Sequence, residues 1–140
     1  MDVRPKARPG LKVRALEGLT PALQAAIKGI PSAKNATTPM SWVGKSGVKH
    51  GFTFGYPGDH GPDMVCDVIL SEVPIDETDV LAFFIRVYDV GAKSSILCTS
   101  PGLTPGALRL ALLYKIRVIQ CDGEEDAGSK LAEELSMASQ

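Results

Sequence analysis

No stretch of this sequence is apolar for long enough to cross a bilayer, which takes about 20 consecutive residues. No apolar segment follows the basic N-terminus either, so neither a membrane span nor a secretory leader is expected. Cysteine is scarce: three residues, an odd number, with no Cys-x-x-Cys among them. That excludes a disulfide framework and a zinc knuckle, and buried free thiols in a reducing, cytoplasmic setting are expected instead. Histidine is absent after His60 and no Gly-x-Ser-x-Gly occurs, so the usual surroundings of an acyl-transfer nucleophile are missing. Lysine is absent between Lys49 and Lys93. No internal repeat is visible.

What remains is an ordinary globular composition. The chain has 140 residues, of which 44% are hydrophobic and 22% charged, enough for one domain with a real core. The net charge is −1 but unevenly spread: residues 1–49 hold nine Lys/Arg against two acids, and residues 50–140 hold six against fourteen. A basic front of this kind fits an arm that contacts nucleic acid. Its cations are Arg4, Lys6, Arg8, Lys12 and Arg14, punctuated by Pro5, Pro9 and Gly10, which break any helix. Residues 1–18 therefore read as an extended or flexible arm with a strand around Leu11 to Leu16. Residues 19–140 read as a single α/β domain.

Along that domain, Thr20-Pro21 marks a helix start, and Leu23, Ala26, Ile27 and Ile30 give it one apolar face. Met40 to Val43 reads as a strand. Val48, His50, Phe52, Phe54 and Tyr56 alternate with a period of two, predicting one continuous half-buried strand. Residues 57–63, PGDHGPD, are dense in turn formers and read as a hairpin loop. Met64 to Leu70 is nearly all apolar, the mark of a central strand buried on both faces.

The stretch from Asp76 to Gln120 organises the rest. Asp76 is a good N-cap with Asp79 three residues on, and Gly91 is placed to stop the helix in the left-handed region. Val80, Phe83, Phe84, Val87 and Tyr88 have helical spacing. Ser95 to Cys98 reads as a buried strand, and Thr99 and Ser100 at its end as capping groups. Thr104-Pro105 repeats the N-cap and first-turn signal, with Leu108, Ala111, Leu112 and Lys115 carrying the helix on. Ile116 to Ile119 is the next strand, and Glu124 to Met137 a final helix. Strands alternating with helices over short connections imply parallel strands. The fold class expected is α/β, a mixed sheet of about five strands flanked by helices.

The same stretch, "DVLAFFIRVYDVGAKSSILCTSPGLTPGALRLALLYKIRVIQCDG", resembles the C-terminal half of the nuclease-like domain of Mrr-type restriction endonucleases, members of the PD-(D/E)xK class. The matching positions are Gly91-Ala92, Ile96, Thr99, Gly102, Thr104, Ala107, Ala111, Ile116, Val118 and Ile119. Upstream, "GKSGVKHGFTF" resembles the start of the β-hairpin in archaeal relatives of that family. The resemblance covers roughly residues 44 to 122 and implies a restriction-endonuclease-like core.

Catalysis in that family takes an Asp from the second strand and a Glu/Gln-x-Lys from the third, which together hold Mg²⁺ and help activate water. Here the second-strand position is Thr53, the third strand offers Asp67, and Ile69 stands where the lysine belongs. The resemblance therefore implies a catalytic set reduced to one carboxylate. The neighbours available to complete a site are His50, Asp59, His60, Asp63 and Glu72. The candidate catalytic residues are Asp67 and His50, and the candidate metal ligands Asp67 and Asp63. His50 and Asp67 are expected to meet across neighbouring strands.

Gly44-Lys45-Ser46 suggests a phosphate loop, but Pro39 stands where the Walker pattern needs its first glycine, and a strand pattern follows. A tight turn into the hairpin is the better reading, with Lys45 and Lys49 free to meet backbone phosphate. On the long helix, Val80, Phe84 and Val87 are expected to face the sheet. Leu81, Phe83 and Tyr88 then form an outward apolar patch that a second copy of the chain would cover.

Three functions follow as expectations. The first is a nuclease-like domain that has lost catalysis and binds nucleic acid, DNA or RNA, or a protein partner. The second is an active Mg²⁺-dependent endonuclease built around Asp67. The third is a homodimeric interaction protein with no nucleic-acid role. No other cofactor is expected.

Overall fold

The computed structural model describes residues 12–14 and 36–138. Within them the order is β1 (Lys12–Arg14), β2 (Met40–Val43), β3 (Lys49–Phe52), β4 (Phe54–Tyr56), β5 (Met64–Ser71), α1 (Glu77–Val90), β6 (Ser94–Ser100), α2 (Pro105–Leu113), β7 (Arg117–Gln120) and α3 (Glu124–Ala138). The helix expected at residues 20–30 and the arm residues Arg4, Lys6 and Arg8 lie outside the described residues.

The architecture is α/β with a mixed sheet. Its order is β1-β5-β6-β7, with β4 also on β5, and β2-β3 forms a separate hairpin. β5, β6 and β7 run parallel, while β1 and β4 lie antiparallel to β5. β1 and β4 share one edge of β5: β4 pairs with Met64 to Cys66, and β1 with Ile69 to Ser71.

Alternation along β5 divides the core. Met64, Cys66 and Val68 face one layer, where Cys98, Cys121 and Leu131 of α3 join them. Val65 and Ile69 face the other, packed with Val80, Phe83, Val87, Ala107 and Ala111 from α1 and α2. Both crossover helices therefore lie on one side of the sheet and α3 on the other. Cys66, Cys98 and Cys121 are buried free thiols, and burial pushes all three up in pKa.

The helix ends follow their sequence signals. Asp76 and Asp79 form a reciprocal capping box. Thr104 accepts from the Ala107 N–H, with Pro105 in the first turn. Of the two groups expected to cap the end of β6, Ser100 does so, its Oγ accepting the Gly123 N–H at 3.1 Å, whereas the Thr99 hydroxyl is buried without a hydrogen-bond partner among the described residues.

Two expectations need correction. Residues 48–56 are not one strand: the chain breaks at Thr53, so that β3 pairs with β2 and β4 pairs with β5. The faces of α1 also differ from the sequence reading. Phe83 is fully buried against the sheet and meets Phe52 edge-on at 6.3 Å, so it is no part of an outward patch. Phe84 instead sits at the α1–α2 seam, stacked on Tyr114 at 4.0 Å. The outward stripe is Leu81, Ile85 and Tyr88.

Candidate functional site

The break at Thr53 and the acid on β5 belong to one arrangement. Asp67 and Val68 fall between the segments of β5 that β4 and β1 cover. Thr53 fills that gap. Its hydroxyl accepts the Val68 N–H at 3.0 Å, and its own N–H donates to Asp67 Oδ1 at 3.1 Å. Side chains thus take over where the ladder is interrupted, as buried backbone donors require.

Asp67 is fully buried on the α1 side of β5, because it falls between Val65 and Ile69 in the alternation. Arg86, one helical turn from Phe83, reaches it with Nη2 2.6 Å from Oδ2. The other guanidinium nitrogen donates to the Gly51 carbonyl at 2.9 Å, and the group lies over the Phe52 and Phe83 rings at 5.0 and 5.4 Å. Charge, hydrogen bond and ring stacking hold Arg86 in place. Ile69, at the position of the expected lysine, is buried in the same layer.

Arg86 was missed by pattern reasoning, but a signal existed. It interrupts an apolar helix as Asp67 interrupts an apolar strand, and charges of opposite sign on two apolar faces each need a partner.

A second polar cluster joins the β2–β3 turn to the end of α1. Asp89 accepts from the Ser46 hydroxyl at 2.6 Å and the Ser46 N–H at 3.0 Å, and meets His50 Nε2 at 2.7 Å. These bonds, the Ser46 hydroxyl foremost, hold its pKa below the ordinary aspartate value. Asp89 lies in the last turn of α1, where a carboxylate opposes the helix dipole, so the outside donors compensate for an unfavourable position. Gly44 is needed here, since a Cβ would lie 2.1 Å from Asp89 Oδ2. The carboxylate sits between serine and histidine, so His50 is not placed as a base for Ser46.

His50 therefore meets Asp89, not Asp67. Asp63 is exposed, 3.5 Å from Lys93 Nζ. It precedes Asp67 by four extended residues, about 13 Å at 3.3 Å per residue. Asp59, His60 and Glu72 are exposed. Among the described residues, no group of three or more His, Cys, Asp or Glu is arranged to hold a metal ion. Lys45 and Lys49 are exposed on the hairpin, and Lys45 Nζ lies 5.5 Å over the Tyr88 ring. The side chains of Lys12 and Arg14 lie outside the described residues.

No protein-family model matches the chain, and no curated protein does. Among solved structures it is similar to the crystal structure of AF1548, a protein of unknown function, with a TM-score of 0.52 and 13% identity. The match covers 69% of this chain and 56% of that one, so it spans little more than half of that protein. At this identity the likeness supports the α/β fold alone. No helix among the described residues is long and apolar enough to cross a membrane.

Proposed function

We propose that this chain is a nuclease-like α/β domain, of the Mrr-type class its sequence resembles, whose catalytic position has become a structural ion pair and whose remaining role is to bind nucleic acid. One observation carries the reading. Asp67, the sole acid at a position the resemblance assigns to catalysis, is fully buried with one oxygen 2.6 Å from Arg86 and the other on the Thr53 N–H. A magnesium ligand in a phosphodiesterase must face both solvent and substrate, and Asp67 faces neither. Arg4, Lys6, Arg8, Lys12 and Arg14, with exposed Lys45 and Lys49, supply cations for phosphate contact by counterion release.

The test is binding and cleavage together, using labelled duplex and single-stranded DNA and RNA with Mg²⁺ or Mn²⁺ across a salt series. Retention that falls with salt, without cleavage, is expected. Metal-dependent cleavage that disappears in Asp67→Asn would overturn the reading in favour of an active endonuclease around Asp67. No retention at low salt would remove the nucleic-acid role.

A second reading has its own observation. Leu81, Ile85 and Tyr88 form an exposed stripe at helical spacing along α1, the kind of face that a second copy of the chain covers. It predicts a concentration-dependent dimer.

A further inference from the structure

Among the described residues, one concave surface is lined by lysines and aromatic rings and by no carboxylate. A cavity of about 320 Å³ lies where α1 and α2 end and β6 begins. Lys45, Lys93 and Lys115 line it together with Phe84, Tyr88 and Tyr114, and no Asp or Glu is among its described lining residues. Lys93 and Lys115 come from residues 50–140, which have six Lys/Arg against fourteen acids, and Lys45 of the basic first part of the chain joins them there.

The aromatic side is continuous. Phe84 stacks on Tyr114 at 4.0 Å with 15° between the rings, and Tyr88 follows at 6.1 Å. Tyr88 is 68% exposed. Lys45 and Lys115 make no ion pair among the described residues, and Lys93 has only a 3.5 Å contact with exposed Asp63.

Cations near two helix C-termini are also what the helix dipole favours. That accounts for charge, but not for the aromatic series or for the backbone of Lys115. The two helix ends make the comparison. After α1, Gly91 has φ 71°, its N–H meets the Tyr88 carbonyl, and the Ala92 N–H meets that of Val87. After α2, Lys115 has φ 59°, its N–H meets the Leu112 carbonyl, and the Ile116 N–H meets that of Ala111. The closing motif is the same, and glycine is its ordinary residue. Lysine occupies it at the second end, against backbone preference, with its side chain at the groove.

A neighbouring cavity of about 450 Å³ shares Ser94, Ser95 and Lys115. Tyr56 lines it, and the Tyr56 hydroxyl is buried without a hydrogen-bond partner among the described residues. Lys115 therefore stands between an aromatic, basic groove and a recess with an unpaired hydroxyl.

We propose that this groove binds single-stranded nucleic acid, with a base stacked on Tyr88 or Tyr114 and adjoining phosphates held by Lys45, Lys93 and Lys115. The proposal rests on the nucleic-acid reading above and gives it a site and a strand preference. Aromatic platforms take bases that are not already stacked in a duplex, while lysines follow the phosphates without reading sequence.

The experiment measures binding of a labelled 12-nucleotide single strand, and of the same sequence as duplex, to the full chain and to Lys115→Gly and Tyr88→Ala. Lys115→Gly relieves the left-handed lysine, so its melting temperature is expected to stay level or rise. Its single-strand binding weakens, with a salt slope lower by about 0.7, the value of one phosphate contact. Tyr88→Ala, at an exposed position, weakens single-strand binding by roughly 5- to 150-fold, the range for one lost base stack. Duplex binding changes less in both variants. Single-strand binding equal to the unmodified chain's in both variants overturns the groove but leaves the nucleic-acid reading standing. Equal losses for duplex and single strand overturn the strand preference. Displacement of the oligonucleotide by polyglutamate at equal charge concentration shows a cation cluster without base stacking, and overturns the proposal. If the unmodified chain retains no nucleic acid at low salt, the reading beneath the proposal falls with it.

Discussion

Asp67 and Asp89 are two carboxylates held by similar groups in different surroundings. Each accepts a backbone N–H, and each has a cationic or potentially cationic neighbour within 2.7 Å. Asp67 has no exposed surface, whereas the Asp89 side chain is 17% exposed at the edge of the hairpin. Water can replace lost partners at Asp89 but not at Asp67. The first arrangement is therefore fixed by the high cost of breaking it, and the second by convergence of short bonds at a surface where salt and water weaken each.

The largest break in that comparison should come from Arg86→Leu, which leaves the Asp67 charge buried without its guanidinium. A loss of about 3–5 kcal/mol is expected by urea denaturation. Changing Asp67 to Leu as well should recover much of it, since an apolar pair of similar volume is often tolerated. A loss below about 1 kcal/mol for Arg86→Leu would mean that Asp67 behaves like a surface carboxylate.

Next is Thr53→Val, which keeps the shape and removes the hydroxyl that accepts the Val68 N–H. It should cost about 1–3 kcal/mol, the range for one buried donor left unpaired. An unchanged denaturation midpoint would show that Val68 is satisfied another way.

The smallest effect lies at Asp89 and sharpens the contrast through pH. Its folded pKa is lowered by bonds from Ser46 and His50. A lowered carboxylate adds stability above its unfolded value, about 3.9, and loses that stability as pH falls through the folded value. Protection of the Ser46 amide, its slowing relative to an unstructured amide at the same pH, should therefore hold above pH 4 and fall only below it. Asp89→Asn should abolish this pH dependence while moving global stability less than Thr53→Val does. A Ser46 amide without protection on either side of pH 4 would show that the clamp is not closed in solution.

Much of the fold was legible because local chemistry specifies it. Asp76 and Asp79, Thr104-Pro105 and Gly91 carry their own cap geometry, and all appear as the sequence implied. The run from Met64 to Leu70 is apolar on both faces because both faces are covered, and β5 lies inside the sheet. The face of α1 was not legible. Phe83 and Phe84 are adjacent in a run where nearly every residue is apolar, so periodicity cannot choose between them, and packing against Phe52 chose Phe83. Nor was the break at Thr53, because a period of two continues through it while the pairing partner changes from β2 to β5.

For the candidate site the division is the same. The residue types alone set the presence of a lone acid on an apolar strand, the lack of a nearby lysine, and the placing of most cations in the first third of the chain. Only the tertiary structure brought Arg86 to Asp67, His50 to Asp89, and three lysines around Phe84, Tyr88 and Tyr114. Those partners are separated by tens of residues, and no local preference encodes which distant side chain will meet another. That is decided when β5, α1 and the hairpin bury their apolar faces together, because burial fixes which polar groups are left to satisfy one another.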